Sequence, residues 1–326
     1  MSVTDAVRRW ADRQGYLAAF APAVVLGYVD DRIDGLEASG AFAPGFAQAN
    51  LQAFRGASTA AAGRFGTVVV LAVPRPAWVV RFATASGPVV DAIVPPTYVD
   101  YRPLFEEIRI GIVDALGGAV AVETIAVPLK SLAAAIGLVS YGRNNLTYVP
   151  GYGSYVQLVA YALDAAPEHS LPEVEFERML DRCATCRACV KACPTGAIDG
   201  DRFLLHADRC YTLASESSQP LPLGMRPPSP DCLIGCLICQ EVCPVNRGLL
   251  ECRPSEVSFT REETDALLSP GDLPTGLQQE RILAKFAALA ITEGLPVLRR
   301  NLRQLIALAS EPRRRRGASA RPRSSA

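Results

Sequence analysis

The chain has 326 residues, 49% of them hydrophobic and 20% charged, with equal numbers of basic and acidic side chains. This length suggests about two domains, and no apolar run approaches the roughly 18 residues of a membrane helix. The amphipathic start lacks the apolar core of a signal peptide, so we expect a cytoplasmic protein. Residues 312–326 carry six arginines and no acid, which leaves 27 basic against 33 acidic side chains before them. Such an acidic body argues against a large nucleic-acid footprint.

Apolar periodicity predicts that helices and strands alternate over the first half of the chain. The clearest strand is TVVVLAV (67–73), because it is β-branched and ends at prolines. The other predicted elements are helices at 3–20, 47–64, 101–116 and 129–138, strands at 23–29 and 153–163, and a turn with a strand at 117–127. Near the end, residues 281–309 indicate two short helices broken at Gly294 and Pro296.

The order of elements predicts a mixed α+β and α/β architecture in four parts. We expect an α/β domain at 1–168, a ferredoxin-like cysteine module at 169–252, a short helical segment at 253–310 and a disordered tail at 311–326.

Two cysteine blocks carry the strongest chemical signal. The first has C-x2-C-x2-C-x3-C-P spacing and comprises Cys183, Cys186, Cys189 and Cys193. The second has C-x2-C-x3-C-P spacing and comprises Cys236, Cys239 and Cys243. Such runs are typical of proteins with two [4Fe–4S] clusters, in which the last cysteine of a run ligates the other cluster. One ligand must lie outside the blocks, and Cys210 and Cys232 are both candidates.

Zinc and disulfides are the alternatives for this array. Zinc sites also use C-x2-C pairs, but they rarely stack three short steps that end in Cys-Pro. Disulfides are disfavoured in reducing cytosol. The spacing therefore favours two cubane clusters.

Residues 117–157 are rich in glycines, amides and tyrosines. Glycines let a backbone approach a large flat ligand closely. Ordinary turns between a helix and a strand would explain the same composition, so both interpretations stay open on the residues alone.

The order VETIAVPLKSLAAAIGLVSYGRNN, YGSYV, CxxCxxCxxxCPTGAI, HADRCYTL and CLICQEVCPVN resembles epoxyqueuosine reductase. That family consists of iron–sulfur and cobalamin enzymes related to reductive dehalogenases. The resemblance covers about residues 65–250 and is strongest at 120–157 and 183–245. It implies that the N-terminal domain binds a corrinoid.

The resemblance also implies which residues hold each group. One cluster would be held by Cys183, Cys186, Cys189 and Cys243, and the second by Cys193, Cys210, Cys236 and Cys239. Cys232 and Cys252 would then not be ligands. The corrinoid would lie against two segments, from Tyr141 to Asn145 and from Tyr152 to Tyr155, with contacts from Tyr141, Gly142, Arg143, Asn144, Tyr152, Gly153 and Ser154.

Glu123 falls where the family places its proton-donating aspartate. Such an acid needs a pKa raised by burial, whereas the alternative for Glu123 is a strand-end carboxylate paired with an arginine. The chain has no D-x-H-x-x-G element, and we interpret His169 and His206 as structural. The sequence departs from the family in a basic segment, here IVPPTYVDYRPLF (93–105), and in shorter C-terminal helices.

The leading hypothesis is therefore a cobalamin-dependent iron–sulfur reductase, acting on epoxyqueuosine in tRNA or on a small molecule. It needs an external low-potential electron donor of the ferredoxin or flavodoxin type. A second hypothesis is an electron-transfer protein or a corrinoid-reactivating reductase without a substrate of its own. A third is a redox or iron sensor, which would have a labile cluster and no turnover.

Overall fold

The computed structural model describes residues 2–54, 61–84, 87–222, 225, 231–291 and 294–310, so the arginine-rich tail lies outside it. Its helices are α1 (Val3–Arg13), α2 (Val25–Ala38), α3 (Phe46–Asn50), α4 (Arg102–Ala115), α5 (Leu129–Ala135), α6 (Ala188–Ala192), α7 (Tyr211–Glu216), α8 (Ile238–Glu241), α9 (Arg261–Leu268), α10 (Leu277–Leu289) and α11 (Leu295–Ser310). Its strands are β1 (Leu17–Pro22), β2 (Thr67–Pro74), β3 (Ala77–Phe82), β4 (Val90–Val94), β5 (Val122–Thr124), β6 (Ser140–Tyr141), β7 (Thr147–Tyr148), β8 (Val156–Leu163) and β9 (Cys252–Phe259).

The fold is mixed α/β, and its larger sheet is antiparallel, in the order β1-β2-β8-β5. Side chains alternate along β2, so that Val68 and Val70 pack with α2 and α5 on one face, while Val69 and Leu71 pack with α1 and α4 on the other. Helices therefore cover both faces, which explains why this strand is apolar without interruption.

A smaller sheet joins two distant parts of the chain in the order β4-β3-β9, with β3 and β9 parallel. Its residues Val80, Phe82 and Phe259 share one core with Leu298 and Leu302 of α11. Residues 77–98 thus pack with the C-terminal helices, although they precede the cysteine blocks. The four-part domain division stays a prediction. No helix within the described residues is long and apolar enough to cross a membrane.

Two predictions at the start of the chain are wrong. The helix predicted at 3–20 ends at Arg13, and Leu17–Pro22 instead pairs with β2 as an edge strand. The strand predicted at 23–29 is the first turn of α2, where Val25, Leu26 and Val29 are buried on one helical face. Valine content favoured a strand, but the tertiary position of the segment overrides this propensity.

Most of the remaining elements are confirmed. The strands predicted at 67–73 and 153–163, the short strand within 117–127, the helices at 101–116 and 129–138, and the two C-terminal helices are all present. The helix predicted at 47–64 is represented by α3 and a single turn (Gln52–Phe54), and residues 55–60 lie outside the description. The structure adds β3, β4, β9 and α9, which periodicity did not indicate.

Replacing Gly111 by alanine should destabilise the protein, although alanine is the better helix former. An added Cβ would lie 2.3 Å from Cζ2 of Trp10, so α1 would have to move away from α4. Over-packing of this kind costs about 1–3 kcal/mol, which exceeds the gain of about 1 kcal/mol that alanine gives over glycine in a helix. Thermal unfolding should therefore show a lower Tm for Gly111→Ala.

Gly35→Ala is the matched control for this substitution. Gly35 lies in α2, is exposed, and has nothing within 4 Å of an added Cβ. We expect this variant to be slightly more stable than the native chain. A Gly111→Ala protein with an unchanged or higher Tm would mean that Trp10 does not fix α1 at this contact.

Candidate functional site

Both cysteine blocks fold in the same way, as a loop, a short helix and a Cys-Pro step. Cys189 lies in α6 and Cys193 ends that helix, while Cys239 lies in α8 and Cys243 follows it. Proline after each terminal cysteine cannot continue the helix. The two helices α6 and α8 pack against each other, which brings the blocks together.

Three of the thiols have a pKa that burial and neighbouring cysteines raise. Burial raises the pKa of Cys189, and Cys183 and Cys243 raise it further. Burial also raises the pKa of Cys236 to about 11, with added contributions from Cys210 and Cys193. For Cys239 the pKa is raised by burial, then by Cys236 and Cys210, and to a smaller extent by Cys189 of the first block. These interactions link cysteines of both blocks with Cys210, and the two ligand sets implied by the sequence, with Cys210 as the ligand from outside the blocks, stay a prediction.

Backbone donors surround Cys193. Burial raises the pKa of this thiol, but hydrogen bonds from the Thr195 side chain and from the backbone N–H groups of Thr195, Ile198 and Ala197 lower it more. Such donors stabilise a thiolate. A thiolate is the form that ligates iron.

Cys232 and Cys252 have different surroundings. Cys232 is buried with Ala77, Ile93 and Leu237, beside the smaller sheet. Cys252 is exposed at the start of β9. Within the described ranges, no three His, Cys, Asp or Glu side chains form a site for a single metal ion.

Side chains in the segment from Tyr141 to Tyr155 form hydrogen bonds with both cysteine blocks. The Arg143 guanidinium donates to the carbonyls of Cys186 (3.2 Å), Cys183 and Gly200. Asn144 is buried, and its amide donates to the Tyr148 hydroxyl at 2.9 Å and to the Cys239 carbonyl at 3.4 Å. These two neighbouring side chains therefore contact one cysteine block each.

Ser154 makes a second connection to the second block. Its backbone N–H donates to Oδ1 of Asn246 at 3.0 Å, and its hydroxyl donates to Oε1 of Gln240 at 2.9 Å. Gly153 has a positive φ of 60°, and a Cβ there would lie 2.3 Å from Oδ1 of Asn246. Only glycine fits this close approach. The Tyr152 hydroxyl donates to the Gly15 carbonyl at 3.1 Å, away from the blocks.

A cavity of about 610 Å³ opens between α2, the start of α5 and residues 202–208. Its wall is mainly apolar and includes Phe42, Phe176 and Phe203. Of the seven predicted corrinoid contacts, Tyr141 lines this cavity, whereas the other six do not. Burial raises the pKa of Tyr141 to about 12, opposed by a hydrogen bond with Ser131, which also lines the cavity.

Lys130 is a cavity residue that the sequence did not single out. Its ammonium donates to the Asn145 carbonyl at 3.1 Å, and the residue lines the cavity. Burial lowers the pKa of Lys130, and the nearby Cys210 thiol opposes this effect. Asn145 has a positive φ of 58°, an uncommon conformation for a residue other than glycine. In this turn the Asn145 carbonyl accepts from the Lys130 ammonium.

His206 also lines the cavity, four residues before Cys210. Its Nδ1 lies 3.0 Å from Nη1 of Arg202, and its Nε2 lies 3.8 Å from Oδ2 of Asp199. Both ring nitrogens thus have polar neighbours, consistent with the structural role predicted for this histidine. The cavity therefore reaches the loop that carries the Cys210 thiol.

Glu123 lies on the edge strand β5 rather than in the cavity wall. Its two oxygens accept from Arg64 at 2.7 and 3.0 Å, and the Glu123 side chain is 43% exposed. The buried environment expected of a proton donor is absent around Glu123 in this arrangement. The alternative predicted for it, a strand-end carboxylate paired with an arginine, describes the contact that is present.

Residues 182–246 match the family described as the 4Fe-4S double cluster binding domain. The chain is thus an iron–sulfur protein with a module for two [4Fe–4S] clusters.

Among curated proteins it is similar to epoxyqueuosine reductases. It is 34% identical to that of Bacillus subtilis over 119 residues, which are 36% of this chain and 29% of that protein. It is 36% identical to that of Synechococcus sp. over 122 residues, 36% of this chain and 34% of that protein. The aligned segment thus spans about a third of these relatives.

Solved structures of epoxyqueuosine reductases share the fold over most of the chain. The Bacillus subtilis protein, in a form whose catalytic loop is swung out of the active site, has a TM-score of 0.66 at 20% identity, covering 94% of this chain and 82% of that one. An epoxyqueuosine reductase with an epoxyqueuosine-modified tRNA-Tyr stem loop has a TM-score of 0.65 at 21% identity, covering 94% and 81%. The resemblance inferred from the sequence motifs is confirmed.

Proposed function

We propose that the chain is a reductase of the epoxyqueuosine type, in which two [4Fe–4S] clusters pass electrons from an external donor to a cofactor in the 610 Å³ cavity. The observation that carries this proposal is the position of that cavity, whose wall includes His206 to Asp208, next to Cys210. Cavities of this size are typical of cofactor and ligand sites. An electron-transfer protein without a substrate of its own would not need one. The proposal assigns the clusters to residues 169–252 and places the cofactor between residues 1–168 and the segment 202–208.

The chemistry of the cavity lining supports a corrinoid as its occupant, although only Tyr141 of the seven predicted contacts lies in the wall. Aromatic and aliphatic side chains form most of the wall, and Lys130, Ser131 and Tyr141 supply polar groups at one side. Such a combination of apolar surface and a few placed polar groups is typical of cofactor sites. A bound corrinoid would supply a cobalt centre able to pass electrons to the substrate. The residues Arg143, Asn144 and Ser154 would act differently, by fixing the cysteine blocks against this domain.

The substrate we propose is epoxyqueuosine in tRNA, because the matched proteins carry that name and a solved one holds the modified stem loop. Removing the epoxide oxygen as water consumes two electrons and two protons. The chain must therefore supply a proton donor as well as the electrons. Glu123 is the donor implied by the resemblance, and it would have to leave Arg64 to reach the cavity. A solved relative has its catalytic loop swung out of the active site, so a moving loop is consistent with this role.

Metal analysis tests the proposal. The full chain is purified anaerobically with cobalamin supplied, and cobalt and iron are measured in one sample. We expect about one cobalt and about eight irons per chain. The purified protein should then convert epoxyqueuosine in a synthetic tRNA-Tyr stem loop when given a low-potential electron donor. Iron near eight without cobalt would overturn the proposal in favour of an electron-transfer protein, and cobalt with no turnover on the stem loop would favour a small-molecule substrate.

A further inference from the structure

The fourth ligand proposed for the second cluster, Cys210, lies outside both cysteine blocks and is followed at once by α7. This helix has only six residues, from Tyr211 to Glu216. A helix this short is not stable alone. Its last carbonyls also lack partners within the helix. Contacts from other parts of the chain must therefore fix its position.

Helix α11 supplies those contacts at the C-terminal end of α7. The Arg300 guanidinium donates to the carbonyls of Ser215 (2.8 Å), Ser217 (2.6 Å), Ala214 (3.3 Å) and Gln219. The neighbouring Asn301 is buried, and its amide donates to the Ser215 carbonyl at 3.0 Å. Its Oδ1 accepts from Arg300, which orients both side chains.

The same helix is connected to a second ligand of that cluster. Ser215 is fully buried, and its hydroxyl accepts from the backbone N–H of Gly235 at 2.9 Å. Gly235 has a positive φ of 69°, and the ring of Tyr98 packs where its Cβ would lie. Cys236 follows directly. Helix α7 thus connects Cys210 at one end with the turn before Cys236 at the other.

We propose that Arg300 and Asn301 are positioning residues for the second [4Fe–4S] cluster, holding α7 so that Cys210 and Cys236 face the same cube. This inference rests on the proposed function and on the ligand set that the sequence resemblance implies. It gives the C-terminal helix a role in the redox module, although α11 lies more than fifty residues after the last cysteine of the blocks.

The test is the rate at which a chelator removes iron from the anaerobically reconstituted full chain. Arg300→Gln should release half of its iron about tenfold faster than the native protein, the effect expected from losing hydrogen bonds to a charged group. The other half should leave at the native rate. The electron paramagnetic resonance spectrum of the reduced protein should lose or alter the signal of one cluster only. Arg300→Lys should restore part of the native rate, because an ammonium can still reach a carbonyl.

Arg299 and Arg303 provide matched controls on the same helix. They donate in the same manner to carbonyls of Leu267, Leu268, Ser269 and Gly271, at the end of α9. Arg299→Gln and Arg303→Gln should release iron at the native rate. Equal acceleration in these controls would show a general loss of stability and overturn the proposal, as would native behaviour of Arg300→Gln.

Two more variants separate the possible failures. Asn301→Ala removes one bond to Ser215 while keeping Arg300, and it should accelerate release of the same half of the iron if Arg300→Gln does not fold. Cys210→Ala tests the ligand set itself. If Cys210→Ala loses about four irons while Arg300→Gln and Asn301→Ala behave as native, the positioning role is wrong and the ligand set stands. If Cys210→Ala keeps about eight irons, the ligand set is wrong.

Discussion

Replacing Cys210 by alanine should remove one of the two clusters, so that iron falls from about eight to about four per chain. The reason is the ligand set implied by the sequence resemblance, in which Cys210 supplies one of the four thiolates of this cluster. Cys210 also raises the pKa of both Cys236 and Cys239, as a near neighbour would. A [4Fe–4S] cube needs four thiolates, and the second block offers this cluster only two of its own. The remaining cluster should keep its spectrum, since the ligand set proposed for it, Cys183, Cys186, Cys189 and Cys243, does not include Cys210.

The control for this prediction is Cys232→Ala. Cys232 is the other candidate by sequence, but it is buried with Ala77, Ile93 and Leu237 beside the smaller sheet. We expect this variant to keep about eight irons, with at most a modest loss of stability from a smaller buried side chain. If Cys232→Ala loses four irons and Cys210→Ala loses none, then Cys232 is the cluster ligand and Cys210 is not.

Glu123→Gln is expected to keep both clusters and the cobalt but to lower turnover by about 10²–10⁴-fold, the usual contribution of a general acid. Glutamine has nearly the same shape and cannot give up a proton in this way. The measurement is single-turnover reduction of the epoxyqueuosine stem loop, with iron and cobalt determined on the same preparation. Slow turnover by a variant that keeps its full iron and cobalt content would support Glu123 as the proton donor.

Arg64→Ala separates this role from the ion pair. The pair between Arg64 and Glu123 is exposed, with side-chain exposures of 67% and 43%, and exposed pairs contribute about 0–1 kcal/mol. Loss of Arg64 should therefore leave turnover within about threefold of native. Glu123→Gln with native turnover would mean that the proton comes from another group. Lys130, the cavity ammonium, would be the next residue to replace.

Spacing in the sequence is enough to predict the cysteine chemistry, because a cluster is wrapped by short loops whose ligands are close in the chain. The same holds for β2 and α4, where one uninterrupted apolar run and one helical period decide the element. The smaller sheet could not be predicted in this way. Strand β9 is largely exposed and pairs with β3, so nothing local distinguishes it from a loop.

The cavity could not be read from the sequence either. Its wall combines α2, a turn after it, the start of α5 and residues 202–208, which are brought together only by the fold. Glycines and amides in the segment from Tyr141 to Tyr155 indicate that something approaches the backbone closely, but they do not identify what approaches it. In the structure Gly153 is approached by Asn246, and Arg143 and Asn144 contact the cysteine blocks.

The pairing of β3 with β9 has a consequence for how the protein is made on the ribosome. Strand β3 ends at Phe82 and β9 begins at Cys252, so about 170 residues are synthesised before the two can meet. Until then Val80 and Phe82 lack the part of their core that α11 provides. The cysteine blocks emerge during this interval, while the larger sheet already has all four of its strands. We therefore expect the nascent chain to complete its N-terminal sheet first, to present the cluster loops next, and to bury β3 and β4 only when its last helices are released.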